Sequence, residues 1–314
     1  MRRAYLVYNP NAGRYPSWLL AERAAGVMQK YGWQIHIETS RNGEHITQLA
    51  RQAAAEQMEA FIVVGGDGSI NHALPGLVGT STALGVLPAG TANVWGQELG
   101  LPGLSWTRWL ALEESAHRMA QAQVRQVDVG MCNTTPFLLW AGVGLDAFVI
   151  HHLEPRERWE KYFAVAQYAA SAVWTAAAWG GLNLQVVTDL NQVSGHFLLA
   201  VVSNIHLYMG GMAQLSPDAR LDDGWMDLWL FEGKTLGDTV QRAWDLWAGR
   251  HVQSDLVRRI PFQNITLMSD VPTYVQVDGE PIGSEGRVSI TVQRHSLHVL
   301  VPMNVPRILF KETK

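Results

Sequence analysis

The sequence predicts two domains: an α/β domain built on a mostly parallel sheet, and a β-rich domain that we interpret as a sandwich. The chain has 314 residues, of which 47% are hydrophobic, so it is long and apolar enough to form two cores. Strand and helix patterns alternate along the first third, as they do in βαβ units. From residue 124 onward, short apolar runs follow one another with few helical patterns between them, which favours a sandwich.

The first domain is expected to span residues 1–123. Each predicted strand is a short run that is followed by residues favouring turns, such as Gly, Pro, Asn or Ser. A helical pattern over 105–121 leads into the second domain, and the tail, 302–314, is a candidate to pack back on the first. The predicted strands are 5–8, 33–38, 61–64 and 83–87, and the predicted helices are 18–30, 44–58 and a segment that begins after Ser69.

The second domain is expected to span residues 124–301. Its predicted strands are rich in β-branched and aromatic residues and are separated by Gly, Pro, Asn and Asp clusters. They are 124–129, 137–141, 182–187, 197–202, 226–231, 265–268, 274–277, 288–292 and 297–301.

Composition excludes some classes of function. The net charge is −4, the sequence pI is about 6.3 and there is no basic tract, so nucleic acid is not an expected partner. The single cysteine, Cys132, cannot form an internal disulfide and is interpreted as a buried structural thiol in a reducing compartment. An uncharged, alanine-rich segment, 162–179, carries a polar residue at every fourth position, which favours a packed or interfacial helix over a membrane-spanning one.

The most informative stretch is Gly65-Gly66-Asp67-Gly68-Ser69, which follows the apolar strand 61–64. Glycines let backbone N–H groups approach an anion, and the N-terminus of the following helix adds positive potential. A carboxylate beside phosphates needs a cation between them, so Asp67 is expected to hold Mg²⁺ directly or through water. The alternative is a turn that needed only glycine and a short polar side chain.

Four polar or glycine-rich loops follow the strands of the first domain. Because the carboxyl ends of parallel strands lie at one edge of a sheet, where ligands of α/β sheets bind, we expect these loops to converge there. They are Asn9-Pro10-Asn11-Ala12-Gly13, Thr39-Ser40, the Gly65–Ser69 loop and Pro88-Ala89-Gly90-Thr91. This convergence favours a nucleotide site over a simple turn.

Six ordered motifs cover nearly the whole chain. They are Asn9-Pro10-x-x-Gly13, Gly65-Gly66-Asp67-Gly68-Ser69, Leu87-Pro88-Ala89-Gly90-Thr91-Ala92-Asn93, Ala141-Gly142-Val143-Gly144-Leu145-Asp146-Ala147, Asp222-Asp223-Gly224 and Val277-Asp278-Gly279-Glu280. With these motifs the chain resembles the diacylglycerol kinase and sphingosine kinase family of lipid kinases, and most closely its bacterial soluble branch.

The resemblance implies an N-terminal nucleotide-binding domain like that of NAD kinases and phosphofructokinases, a C-terminal β-sandwich, and a site in the cleft between them. It also implies ATP as co-substrate, a lipid hydroxyl as acceptor and Mg²⁺ as the metal. Carried over to this sequence, the nucleotide-binding residues would be Asn9, Gly13, Thr39, Gly65, Gly66, Asp67, Gly68, Ser69, Asn71 and Thr91.

The same resemblance assigns the acidic residues. Asp67 and Asp128 would belong to the active-site magnesium network, and the general base would be Glu280 or Asp278, of which we favour Glu280. A carboxylate base suits the reaction, because the acceptor hydroxyl must lose its proton as the phosphoryl group is transferred. The alternatives stay open: Asp128 as an exposed strand residue, Asp278 as part of a hairpin turn, and Glu280 as a solvated side chain.

A second cation site is implied in the loop around Asp222-Asp223-Gly224. Its ligands would be the carbonyl oxygens of Arg220 and Trp225 with the carboxylate of Asp223, a set of oxygen ligands that suits Mg²⁺ or Ca²⁺. An Asp-Gly turn between strands is the alternative.

Two positions depart from the family pattern. Many members carry an aspartate where this chain has Val94, and a glutamate where it has His72. Both changes remove negative charge near the phosphates. They motivate one alternative to the lipid kinase, a nucleotide- or lipid-binding protein that has lost turnover. The other alternative is an NAD kinase-like enzyme with a soluble acceptor, although such enzymes resemble this chain only in the first domain and normally carry Asn-Glu where this chain has Asn71-His72.

The expected partner is a lipid at a membrane surface, with the protein cytoplasmic and peripherally associated; a homodimer is left open. Aromatic and basic residues are candidates for contact with that surface, although core packing would also explain residues at helical spacing. The candidates are Trp106, Trp109, Trp159, Trp174, Trp179, Trp244 and Trp247, with Arg242, Arg250, Arg258 and Arg259.

Overall fold

The structure is a computed structural model that describes residues 2–10, 17–104, 108–153, 179–189 and 191–311. Its first part alternates strands and helices, as predicted. The elements are β1 (Arg2–Tyr8), α1 (Ser17–Gln29), β2 (Trp33–Thr39), α2 (Gly43–Ala55), β3 (Ala60–Gly65), α3 (Asp67–Leu77), β4 (Ala83–Pro88), α4 (Val94–Glu98) and α5 (Ala111–Ala120).

Strands β1 to β4 form a parallel sheet in the order β2-β1-β3-β4. β3 and β4 are buried along their whole length, as strands covered on both faces must be. The register aligns their carboxyl ends, since Tyr8 pairs with Thr39 and Val64, and Gly65 pairs with Pro88. The loops after all four strands therefore leave the same edge of the sheet, which confirms the predicted convergence.

Two helices differ from prediction. α3 begins at Asp67 and not after Ser69, because Gly66 is extended and acts as the N-cap, which leaves the acid in the first turn where the helix dipole favours it. The predicted helix 105–121 is shorter as α5, which begins at Ala111 after a turn at Trp109 and Leu110. Residues 105–107, with Trp106, lie outside the described residues.

The second part is strand-rich, and the prediction of an α/β domain joined to a β-sandwich-like domain is confirmed. Its elements are β5 (Gln123–Cys132), β6 (Thr135–Phe137), β7 (Trp140–Gly144), α6 (Leu145–Leu153), β8 (Leu182–Thr188), β9 (Gln192–Ser203), β10 (Leu207–Tyr208), β11 (Ala213–Gln214), β12 (Met226–Glu232), α7 (Leu236–Trp247), β13 (Val257–Phe262), β14 (Asn264–Val277) and β15 (Glu280–Val301). Short 3₁₀ turns occur at Met209–Gly211, His251–Gln253 and Arg307–Leu309.

The predicted strand 137–141 is wrong as a single element. It divides into β6 and β7, because the backbone amides of Leu138, Leu139 and Trp140 donate to the side chain of Asp278 and not to a neighbouring strand.

The four strands predicted between 265 and 301 are two long strands. β14 and β15 form one antiparallel hairpin whose register shifts at two irregular points instead of breaking, and the pairing of β15 with β5 shifts at a third. Its tip is the two-residue turn Asp278-Gly279, and both residues have positive φ, 49° and 85°, as a type I′ turn requires.

β15 joins the two halves of the protein. Most of it pairs with β14 and β5, but Val299 pairs in parallel with Leu84 of β4. The sheet is therefore continuous and contains 13 of the described strands. In the tail, Leu309 and Phe310 are buried in the core that also contains the α/β part. The boundary at residue 123 stays a prediction.

The predicted helix 162–179 lies outside the described residues except for Trp179, as do Trp159 and Trp174. None of the described helices is both long and apolar enough to span a membrane. Cys132 is buried with no disulfide, as predicted, and burial raises the pKa of its thiol to about 12.

Candidate active site

The loop between β3 and α3 is open to an anion because it lacks side chains. A Cβ added to Gly65 would lie 2.9 Å from Ser69 Oγ, and a Cβ added to Gly66 would lie 3.2 Å from Gly90 Cα. The loop after β3 thus touches the loop after β4 backbone to backbone. With no side chain in the way, the N–H groups at the start of α3 can approach a phosphate.

The loop after β4 is closed by Asn93. This residue has a left-handed backbone, with φ of 54°, and its side chain bonds Gly90 twice: Gly90 N donates to Oδ1 at 2.7 Å, and Nδ2 donates to Gly90 O at 2.9 Å. The closed turn holds Gly90 against Gly66. It leaves Thr91 exposed at the same edge of the sheet.

Asp67 connects α3 to α4. Its Oδ2 accepts a hydrogen bond from Val94 N at 2.9 Å, and its Oδ1 accepts one from Trp95 N at 3.0 Å. Burial raises the pKa of Asp67, while these amides act in the opposite direction. Each oxygen retains a lone pair beyond its amide bond, so the carboxylate can still hold water or a cation.

Asp278, at the tip of the β14–β15 hairpin, is buried, and its carboxylate bonds the backbone at the break between β6 and β7. Its Oδ2 accepts from Leu138 N at 2.9 Å, and its Oδ1 accepts from Leu139 N at 2.9 Å and Trp140 N at 3.0 Å. Burial raises the pKa of Asp278 to about 7 despite these donors, and the nearby Asp67 carboxylate adds to the rise. A carboxylate that accepts three backbone hydrogen bonds is suited to positioning the hairpin tip.

Glu280 faces the phosphate loop. A Cβ added to Gly68 would lie 3.3 Å from Glu280 Oε1, so this carboxylate sits over the first turn of α3. The contact between α3 and the hairpin is reinforced by Asn71, which is buried and donates from Nδ2 to Val277 O at 3.3 Å. The structure thus brings Asp67, Asp278 and Glu280 together from two parts of the chain.

These acids would repel a nucleotide phosphate unless a cation screens them. Among the residues that the structure describes, no group of three or more His, Cys, Asp or Glu side chains is arranged to hold a metal. A divalent ion here would therefore take most of its ligands from phosphate and water, with Asp67 as its protein anchor. That set of oxygen donors fits Mg²⁺.

An apolar cavity of about 240 Å³ lies between α6 and α7. Its lining is mostly apolar and includes Val149, Leu198 and Leu246, together with the charged residues Asp146 and Arg242. Asp146 Oδ2 accepts from Gln276 Nε2 at 2.9 Å, and Gln276 Oε1 accepts from Gly279 N at 2.9 Å. The wall of the cavity is thereby bonded to the hairpin tip that carries Asp278 and Glu280.

Comparison with known proteins agrees with this arrangement. Residues 3–132 match the diacylglycerol kinase catalytic domain, and residues 140–301 match the YegS C-terminal NAD kinase beta sandwich-like domain. The chain belongs to the diacylglycerol kinase family. It is therefore an ATP-dependent lipid kinase of a family that typically uses a divalent metal.

Relatives of the kinase align over nearly its whole length. The diacylglycerol kinase of Bacillus subtilis (strain 168) is 24% identical over 307 residues, covering 96% of this chain and 97% of that protein. The diacylglycerol kinase of Staphylococcus carnosus (strain TM300) is 23% identical over 306 residues, covering 97% and 96%. A crystal structure of a diacylglycerol kinase from Bacillus anthracis strain Sterne matches with a TM-score of 0.72 at 18% identity, covering 97% and 98%, and so shares the fold.

In the kinase, Asp128 lies with the Asp222-Asp223-Gly224 loop. Asp128 Oδ2 accepts from Gly224 N at 2.6 Å and Oδ1 accepts from His295 N at 2.8 Å. The sequence prediction grouped Asp128 with Asp67. One carboxylate oxygen of Asp128 bonds this second loop and the other bonds the backbone of β15, so its place in the magnesium network stays a prediction. A link to the hairpin exists through Asn204, whose Nδ2 donates to the carbonyls of Asp128 and Leu138.

The second loop borders a cavity of about 150 Å³ whose lining includes Arg220, Asp223 and Trp225. Burial raises the pKa of Asp223, and the neighbouring carboxylates of Asp128 and Asp227 raise it further. Arg259 also lines this cavity and pairs with Asp227, so part of that repulsion is already offset, and the predicted ligand set stays a prediction.

Val94 and His72, the two residues that depart from the family pattern, have different surroundings in the kinase. The Val94 side chain is buried in the core, and only its N–H meets Asp67. The ring of His72 packs on Gly43 at the start of α2, where a Cβ would collide with it at 2.2 Å. Neither side chain therefore replaces the missing acid.

Of the remaining predicted residues, Asn9 and Thr39 lie at the carboxyl ends of β1 and β2, on the same edge as the phosphate loop. Gly13 lies outside the described residues. The sequence prediction gave no role to Asp146, although it quoted the motif containing it, and it missed Gln276 and Tyr208, whose hydroxyl also donates to Asp146 at 3.1 Å. Gln276 lies at the end of β14, two residues before Asp278, and this proximity in sequence was the available signal.

Gly90→Ala should weaken Mg-ATP binding about 10-fold or more, because the new Cβ would lie 2.6 Å from Gly66 Cα and push the two loops apart. Isothermal titration calorimetry would measure the change in Mg-ATP affinity. Gly26→Ala is the matched control: no atom lies within 4 Å, so affinity should be unchanged and α1 should gain about 1 kcal/mol of stability. Equal nucleotide affinity in both variants would contradict the role given to the backbone contact.

Proposed function

We propose that the protein transfers the γ-phosphoryl group of ATP to the hydroxyl of diacylglycerol or a related glycerolipid. The observation that carries this proposal is the connection of the apolar cavity to the hairpin tip through Asp146, Gln276 and Gly279. An acyl chain in the cavity would hold its headgroup at the tip, beside the phosphate loop. A soluble acceptor would have no use for an apolar cavity there.

In the proposed mechanism the N–H groups at the start of α3 bind the nucleotide phosphates, and Glu280 takes the proton of the lipid hydroxyl. When bound at Asp67, Mg²⁺ would neutralise phosphate charge. Catalysis rests on positioning and charge neutralisation without a covalent intermediate. Asp278 is assigned to positioning, because its three amide donors fix the hairpin tip and leave Glu280 as the base.

The nucleotide would lie along the edge formed by the carboxyl ends of β1 to β4. We propose Asn9, Thr39 and Thr91 as its further contacts, with Gly13 carried over from the resemblance. Asn71 takes part indirectly, since its amide holds α3 to the hairpin.

The loop of Arg220, Asp223 and Trp225 is proposed as a separate structural site for Mg²⁺ or Ca²⁺. Asp128 supports it by bonding Gly224. Through Asn204 the same residue is connected to the strand break held by Asp278, so the ion would stabilise the hairpin tip from a distance.

A lipid kinase must meet its substrate at a bilayer, and we propose that this protein is cytoplasmic, where ATP is available, and associates peripherally with the membrane. Nucleic acid is not an expected partner, given the net charge of −4.

The first test is transfer of labelled γ-phosphate from Mg-ATP to diacylglycerol, phosphatidylglycerol, ceramide, sphingosine and NAD, with the lipids in mixed micelles. Label in diacylglycerol is the expected result. Label in NAD alone would support an NAD kinase-like enzyme instead. No label in any acceptor, together with measured ATP binding, would support a binding protein that has lost turnover.

Glu280→Gln should lower kcat by about two to four orders of magnitude with little change in melting temperature, because it removes the base and keeps the shape. Asp278→Asn should act on stability: the Asn Oδ1 can keep two amides, but its NH₂ would face Leu138 N, at a cost of about 1–3 kcal/mol. A normal kcat in Glu280→Gln would refute its role as base.

The pH dependence of stability provides a control for the same pair of variants. The pKa of Asp278 is raised on folding, so its contribution to stability is greatest at acid pH and is lost as pH rises towards 7. Wild-type protein and Glu280→Gln should show the same loss in urea titrations, and Asp278→Asn should show a smaller one, because Asp67 and Asp146 also have pKa values raised by burial.

Added MgCl₂ or CaCl₂ should raise the melting temperature of nucleotide-free protein by about 5 °C, given about 2.7 kcal/mol at 100 times Kd. Asp223→Asn should abolish this increase, because it removes the carboxylate ligand. Asp255→Asn, at an exposed position outside the cavity, is the control. An unchanged increase in Asp223→Asn would exclude the loop as the site.

A further inference from the structure

Helix α7 exposes a stripe of large apolar side chains. Leu236, Val240, Trp244 and Trp247 follow one another at helical spacing and are 37%, 56%, 55% and 59% exposed. The two indole rings stack with centroids 5.0 Å apart. We call these four residues the α7 stripe. Exposed apolar residues that occur singly need no explanation, whereas a contiguous stripe indicates contact with a partner.

The inner face of α7 is unusually polar. The buried residues of the helix are Arg242 and Leu246, and Arg242 donates from Nη1 to Asp245 Oδ2 at 3.1 Å and to Ser254 Oγ at 3.2 Å. A capping box of Thr235 and Asp238 fixes the start of the helix. The helix is therefore held with its tryptophans outward by these polar contacts together with the burial of Leu246.

The α7 stripe adjoins the apolar cavity. Thr239, Ala243 and Leu246 of the same helix line that cavity, so one helix has an edge on the cavity and its apolar face towards solvent. If the α7 stripe contacted a bilayer, a lipid could pass from that bilayer directly into the cavity beside α7.

The size of the α7 stripe distinguishes between possible binding partners. A 12-residue helix is about 18 Å long and, with side chains, about 10 Å wide, so its face offers about 200 Å². A stable dimer buries about 800 Å² on each partner. The stripe is too small to hold a second copy of the chain, whereas interfacial helices bind a bilayer by inserting a few aromatic and aliphatic side chains.

We propose that the α7 stripe docks the kinase on a lipid bilayer and delivers the lipid substrate to the cavity that α7 lines. This inference rests on the proposed function for the identity of the substrate.

The neighbouring charges predict the character of the contact. Arg250 pairs with Asp245 at 3.2 Å, and Arg258 pairs with Glu232 at 2.8 Å, so these cations are already matched by acids. Docking should therefore depend on apolar insertion, with only a small loss when salt is added or anionic lipid is omitted.

The test is co-sedimentation of the full chain with phosphatidylcholine vesicles, with or without phosphatidylglycerol and added salt. The double variant Trp244→Ala/Trp247→Ala should bind about 10-fold more weakly or worse, because two large apolar surfaces are removed. Trp18→Ala is the matched control, since Trp18 is an equally exposed tryptophan, at 54%, on α1. Val240→Asp, which places a charge within the stripe, repeats the test if the double variant is unstable.

Transfer assays separate this inference from the proposed function. Phosphorylation of diacylglycerol in vesicles should fall about 10-fold in the double variant, whereas phosphorylation of a short-chain diacylglycerol in free solution should be unchanged. Equal vesicle binding by wild type and both α7 variants, or an equal loss in Trp18→Ala, would overturn the docking proposal. So would light scattering that shows a dimer dissociated by the α7 variants.

Failure of the proposed function gives a different result. In that case wild-type protein would phosphorylate neither form of diacylglycerol, while vesicle binding would still depend on the α7 stripe.

Discussion

The active site depends on the three hydrogen bonds by which Leu138, Leu139 and Trp140 hold the carboxyl group of Asp278. A two-residue hairpin turn has little rigidity of its own, yet the role of base proposed for Glu280 requires a fixed distance between this residue and the loop after β3. The Asp278 bonds fix the turn to a strand break 140 residues away in sequence. Burial in this place raises the pKa of Asp278 to about 7, so the same contact that organises the site is sensitive to pH.

The other contacts of the site extend from this fixed tip. Asn71 bonds Val277 on one side, and Asp146 bonds Gln276 on the other, so the phosphate loop and the apolar cavity are both positioned relative to the hairpin. Asp67 in turn bonds the first amides of α4. Because β15 continues from the hairpin into the parallel sheet at Leu84, the two parts of the fold share one strand and cannot move independently at this point.

The sequence was sufficient for the parts of the structure governed by local pattern. Alternating strands and helices predicted the parallel sheet, and the glycines after β3 predicted the tight turn into α3. The strand break at 138–139 could not be predicted, because the amides responsible bond a side chain remote in sequence. The same holds for Asp128, whose partners are backbone amides of Gly224 and His295. Periodicity also suggests that the tryptophan-bearing face of α7 is buried, whereas the structure buries Arg242 and Leu246 and leaves that face exposed.

The position of Val94 limits how the site can obtain its metal. Its side chain is 1% exposed and belongs to the core, so an aspartate at this position would place a charge among apolar neighbours unless α4 moved. Moving α4 would withdraw the amides that hold Asp67. Among the described residues, Asp67 is the proposed anchor for a divalent ion, and on that proposal the remaining ligands would come from the nucleotide and water. Metal and nucleotide should accordingly bind this kinase together, as a complex, more tightly than either binds alone.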